Sequence, residues 1–126
     1  MKEVVVFVQK QNKQVLVAPD PNDPERMEIP RGMALPGEDY QKAAKRIFES
    51  QTELELGVAI WIYEDDERVI FDSEFVSKPR RRNWTPKVEY VDPKDLISGP
   101  HSESNLSLFL MLGMNFQNSI EKVMKS

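Results

Sequence analysis

The chain has 126 residues, of which 40% are hydrophobic and 30% charged, and it carries a formal net charge of -4 at neutral pH. That length buries one core without disulfide or metal staples, and the balance excludes a disordered or membrane-embedded chain. The negative charge offers no general attraction for nucleic acid, and the absence of cysteine with a single histidine, His101, removes thiolate nucleophiles, zinc-thiolate sites and imidazole clusters. A single domain spanning residues 1–126 is expected. The apolar run after Met1 is too short and too soon charged for a secretory or spanning segment, so a cytoplasmic protein with no membrane partner is expected.

In chain order, residues 4–8 and 14–18 are β-branched runs flanking a polar turn and predict a hairpin. Pro21, Asn22, Asp23 and Pro24 predict an exposed loop over residues 20–25, followed by a brief strand at residues 27–29. Pro36-Gly37 breaks the chain. Asp39 then supplies an N-cap for a helix over residues 40–52, whose apolar stripe is Tyr40, Ala43, Ala44, Ile47 and Phe48. Residues 56–63 and 68–76 predict a second hairpin across Glu64-Asp65-Asp66-Glu67, and residues 88–91 a further strand before Asp92-Pro93. The stretch 78–86 reads as a loop. From Ser102, a helically spaced apolar series of Leu106, Phe109, Leu110, Gly113 and Met114, continued by Ile120 and Val123, predicts a closing helix capped at Ser102. Strands and helices in this order give an α+β or α/β fold with a mixed sheet.

The segment from Glu28 to Leu54, EIPRGMALPGEDYQKAAKRIFESQTEL, carries the most specific pattern in the chain. Gly32 is followed after five residues by Glu38 and after seven more by Arg46; Phe48 and Leu54 hold apolar places, and Pro36-Gly37-Glu38 forms the turn into the helix. In this register the segment resembles the box of the Nudix (MutT-like) superfamily. The resemblance implies an α/β/α sandwich around a mixed sheet, with a loop-helix after the first hairpin and a helix at the C-terminal end. Glu28, Arg31 and the residues around them are similar to the lead-in of the ADP-sugar pyrophosphatase branch, and the stretch from Glu89 to Leu96 is similar to the family's late strand and turn.

The same resemblance implies glutamates at three helix positions where this chain has Ile47, Ser50 and Gln51. Positions three and four apart share a helix face. Nudix hydrolysis of a pyrophosphate uses magnesium or manganese, hard cations that favour several anionic oxygens, and a face of Ile, Ser and Gln is neutral. No cofactor is therefore expected, with magnesium or manganese implied only for an atypical hydrolase that recruits Glu38, Glu53 and Glu89. Glu49, about 160° around the helix from Ile47, points elsewhere. Gly32, Gly37, Arg46 and Phe48 are expected to preserve the loop-helix scaffold, with Glu38 and Arg46 forming an ion pair.

The ligand-binding candidates are Glu28, Arg31, Glu38, Glu89, Arg81 and Trp84. Arg80-Arg81-Arg82 with Trp84 reads as a solvated loop tip or as a patch for phosphate and base, so RNA is a conceivable partner beside a nucleotide-like small molecule. Trp61 and Tyr63 alternate with Ile60 and Ile62, and core packing is the expected role of one pair. His101 reads as polar surface. Three functions stay open: a non-catalytic Nudix-fold binding protein, an atypical hydrolase of a nucleoside diphosphate linked to another moiety, and an interaction module, with a homodimer possible through the last helix.

Overall fold

The run Glu3–Val8, EVVVFV, has apolar side chains on both faces of a strand, the pattern of a strand covered on two sides. In the computed structural model, which describes residues 2–10, 12–73, 76–77 and 88–112, it is β1 and lies inside a four-stranded sheet. Its neighbours are β4 (Arg31–Met33), antiparallel, and β7 (Arg68–Ser73), parallel; β6 (Ile60–Glu64) pairs antiparallel with β7 at the other side. The sheet is mixed, as expected. A second sheet has the order β3-β2-β9, formed by Asp23–Glu28, Val15–Asp20 and Glu89–Val91, and β5 (Glu55–Leu56) pairs antiparallel with β8 (Val76–Ser77).

The first expected hairpin is therefore only a turn. Lys10 N–H donates to Gln14 O at 2.9 Å and Gln9 bridges Val15, but β1 and β2 then enter different sheets. Both strands are apolar on two faces, so neither needs the other to bury its side chains. The expected loop at residues 20–25 also contracts: Pro21 and Asn22 make the turn, closed by Asn22 N–H donating to Asp20 Oδ1 at 2.9 Å, and Asp23 already starts β3. Residues 56–63 are divided into β5 and β6. The β6-β7 turn is as expected, with Asp65 Oδ1 accepting from the backbones of Glu67 and Arg68, both at 2.8 Å.

Helix α1, Tyr40–Thr52, has the expected limits. Asp39 caps it by accepting from Gln41 N–H at 2.8 Å, and Ala43, Ala44, Ile47 and Phe48 are buried against the sheets. The core around them holds Val4, Val6, Val8, Leu16, Val69 and Phe71, with Tyr40 partly buried at its margin. Burying Ile47 and Phe48 contributes about 1.5–3 kcal/mol each.

The chain divides into two compact units, residues 1–90 and 91–126. In the second, Asp92 caps a 3-10 turn (Pro93–Leu96), and α2 (Ser102–Met111) follows. The N-cap position is His101, one residue before the expected cap, and the buried positions of α2 are Asn105, Leu108 and Phe109, while Leu110 is 48% exposed. The expected apolar face is thus rotated. Asn105 Nδ2 donates to Leu96 O at 2.8 Å, which holds the 3-10 turn on α2 and accounts for a buried amide that hydropathy spacing passed over. The expected continuation through Gly113, Met114, Ile120 and Val123 lies outside the described residues. No helix among the described residues is long and apolar enough to cross a membrane.

Candidate functional site

The loop of residues 32–39 enters α1 through a turn that needs Gly37, whose φ of 74° is in the left-handed region. The turn brings Glu38 back under the helix. Arg46 Nε donates to Glu38 Oε2 and its Nη2 to Glu38 Oε1, both at 2.9 Å, while Nη2 also reaches Met33 O at 3.0 Å. Leu35 N–H donates to Glu38 Oε1 at 2.9 Å. The guanidinium of Arg46 and the Leu35 amide together hold the Glu38 carboxyl at about 2, below its ordinary 4.5. The expected ion pair is present in bidentate form. It occupies both carboxylate oxygens of Glu38 with the protein's own donors.

Of helix positions 47, 50 and 51, Ile47 and Gln51 meet β4 and Ser50 bonds its own helix. Ile47 is 2% exposed and sits on Gly32, where an added Cβ would lie 3.2 Å from Ile47 Cγ1. This close approach is the physical use of Gly32. Ser50 Oγ donates back to Ile47 O at 2.9 Å. Gln51 reaches across to the strand: its Nε2 donates to Arg31 O at 2.6 Å and its Oε1 accepts from Arg31 N–H at 3.2 Å. One amide therefore satisfies both backbone groups of Arg31, a geometry that a carboxylate, having no donor, cannot reproduce.

Arg31 itself is buried, with Nε donating to Ile29 O at 3.2 Å, and burial is the largest influence pulling its pKa below the usual guanidinium value. Glu28 is also buried and pairs with Arg26 at 2.9 Å. Glu89 is exposed on β9. Glu49 accepts from Leu56 N–H at 3.4 Å, directed to β5 and away from Ile47, as its angle around the helix implies. Glu53 ends α1 with a φ of 61°, the left-handed conformation in which the box's glycine would stand. Among the described residues, no three histidine or carboxylate side chains converge as a metal site would require. The set Glu38, Glu53 and Glu89 is not gathered into one cluster. Arg81 and Trp84, with the rest of the Arg80-Arg82 run, lie outside the described residues.

The aromatic pair of β6 departs from the expectation of core packing. β6 is an edge strand with no buried side chain: Trp61 is 59% and Tyr63 37% exposed, Ile60 is exposed too, and the pairing with β7 shifts register between Trp61 and Tyr63. At the N-terminal end of α1 the loop forms a hollow of about 410 Å³, walled by Lys2, Leu35, Pro36, Glu38 and Tyr40. Lys2, which ion-pairs with Glu64, is a wall residue that the sequence pattern did not single out.

No family model matches the chain, and no curated protein matches it. Solved structures do. A Nudix hydrolase family member from Chromobacterium violaceum aligns over 98% of this chain and 87% of its own at 16% identity, with a TM-score of 0.62. The MutT Nudix hydrolase from Burkholderia pseudomallei aligns over 83% and 94% at 14% identity, with a TM-score of 0.57. A structure from work on MutT of Aliivibrio salmonicida and Vibrio cholerae aligns over 86% and 98% at 12% identity, with a TM-score of 0.55. At such identities the likeness is one of backbone architecture, and it agrees with the mixed sheet, the loop-helix and the two helices described above. The chain has the fold of the Nudix hydrolases.

Proposed function

We propose that this Nudix-fold protein is a binding protein without metal-dependent pyrophosphohydrolase activity, accepting a nucleotide-diphosphate ligand or a macromolecular partner. The observation that carries this reading is the use of positions 47, 50 and 51: Ile47 is packed on Gly32, Ser50 is bonded to its own helix, and Gln51 closes on the backbone of Arg31. These residues do not fit a magnesium or manganese ion, which favours carboxylate oxygens free to turn toward it. The fit fails on chemistry as well as charge, since the Gln51 Nε2 that faces Arg31 O is a donor and repels a cation. Glu38 is already committed to the protein's own donors, its Oε1 to Leu35 N–H and Arg46 Nη2 and its Oε2 to Arg46 Nε.

The test is a panel of ADP-ribose, dinucleoside polyphosphates and nucleoside triphosphates, each assayed for phosphate or nucleotide release across magnesium and manganese titrations and, in parallel, for thermal stabilisation. A ligand that raises Tm by several degrees without turnover is the expected result, because binding to the native state alone adds to its stability. Metal-dependent release that tracks the folded protein and is abolished by Glu38→Gln would sink the reading.

A further inference from the structure

The two edges of the four-stranded sheet are finished differently. At β4 the backbone is closed by side chains of α1: Arg46 Nη2 donates to Met33 O at 3.0 Å, and the Gln51 amide donates to Arg31 O at 2.6 Å and accepts from Arg31 N–H at 3.2 Å. At the opposite edge, β6 pairs with β7 alone among the described residues. An edge strand left open offers its N–H and C=O groups to another strand, and proteins guard such an edge with a lysine, a proline or an inward charge. Residues 58–63, VAIWIY, contain none of these. Instead Val58 is 75%, Ile60 58%, Trp61 59% and Tyr63 37% exposed, a run of apolar surface larger than solubility alone explains. Ile60 stands opposite Asp72 and Trp61 opposite Phe71, so successive side chains take opposite faces of the sheet and would flank an added strand on both.

We infer that the outer edge of β6 is a homodimer interface, a second copy adding its own β6 antiparallel about a two-fold axis near Ile62 so that the two four-stranded sheets become continuous. Charge selects this occupant. Residues 58–63 carry no charged side chain, and the first charge beyond them, Glu64, is ion-paired to Lys2, so the complement of this edge is another uncharged apolar strand. The acidic run of residues 64–67 fixes the direction, because an antiparallel two-fold carries the two runs to opposite ends of the paired strands, whereas parallel pairing would set them side by side. Shape points the same way. The register shift between Trp61 and Tyr63 adds local twist, which a foreign strand would have to match and a second copy shares by symmetry. Two five-residue strands make an interface at the small end of the specific range, about 1,000 Å², so the dimer dissociates on dilution. Association stops at two, since the β4 edge is closed by Arg46 and Gln51. The interface is independent of whether the chain binds or hydrolyses a nucleotide.

The test is analytical ultracentrifugation of the full chain from micromolar to millimolar concentration. The expected result is a reversible passage from monomer to dimer and no further. Ile60→Lys and Tyr63→Lys, each placing a charge on an exposed side chain of the edge, are expected to weaken association at least tenfold with the thermal melt of the dilute monomer unchanged. Met33→Lys on β4 and Leu110→Lys on α2, exposed apolar positions elsewhere, are expected to leave it within twofold of the wild type. Hydrogen exchange of the wild type gives a second reading that needs no variant: amides within residues 60–64 are expected to exchange at least threefold more slowly in the concentrated sample, and those of β4 at the same rate in both. A monomer at every concentration would overturn the proposal, as would growth beyond the dimer. A dimer that survives Ile60→Lys and Tyr63→Lys and dissociates with Leu110→Lys would overturn it in favour of the last helix, and a dimer without slowed exchange in β6 would remove that strand from the interface.

Discussion

Glu38 and Gln51 are both engaged within the protein, in different ways. Glu38 is held by Arg46 and by the Leu35 amide, and its carboxyl is lowered to about 2. A group depressed in the folded state stabilises above its unfolded value and loses that contribution as pH falls through the folded one. The Tm difference between the wild type and Glu38→Gln is therefore expected to be full above about pH 5 and to shrink steadily between pH 4.5 and about 2. Thermal melts of both proteins across that range check it; a difference independent of pH would mean that the ion pair is not made. For Gln51 the essential property is the amide's paired donor and acceptor. Gln51→Glu removes the donor and sets a carboxylate against Arg31 O, and a loss of about 1–3 kcal/mol in urea unfolding is expected at neutral pH. The ion pair was legible from spacing and opposite charge. The Gln51 clamp was not, because its partner is a backbone twenty residues away and any strand placed there would look the same in sequence.

Among the elements, α1 was the most legible. Its cap, its limits and its buried stripe are all set locally by Asp39, the 3.6-residue apolar period and the turn at Gly37. The β6-β7 turn was legible for the same reason, since Asp65 closes it locally. What escaped was pairing between distant strands: β1 and β2 read as a hairpin, and only the choice of β7 and β4 as partners for β1 separates them. β4 itself is three residues long and leaves almost no period to detect. The α1-β4 contact gives a test of packing at this level. Gly32→Ala is expected to cost about 1–3 kcal/mol, because the new Cβ meets Ile47 Cγ1 at 3.2 Å inside a buried contact. Ile47→Ala alone is expected to cost about 2–5 kcal/mol, and in that background the added methyl of Gly32→Ala falls into the space vacated and costs little or nothing. A double-mutant cycle by chemical denaturation measures the coupling, and simple additivity would remove Ile47 from its place against Gly32.

For the molecule as a whole, the mixed sheet and the loop-helix give the Nudix fold, and within it Gln51 clamps α1 to the strand backbone at Arg31. The fold was legible because Gly32, Pro36, Gly37, Glu38, Arg46 and Phe48 act locally and stand at fixed spacings. A ligand was not, since Glu28 and Arg31, two of the binding candidates, are buried and engaged within the protein. A titration of the wild type with manganese, followed by the electron paramagnetic resonance signal of the free ion, addresses the metal face without requiring any knowledge of a substrate. The expected result is no saturable site below about millimolar, since hard cations bind through clustered anionic oxygens. Stoichiometric manganese binding at micromolar concentrations, lost on Glu38→Gln or Glu89→Gln, would contradict the assignment of α1 to structure.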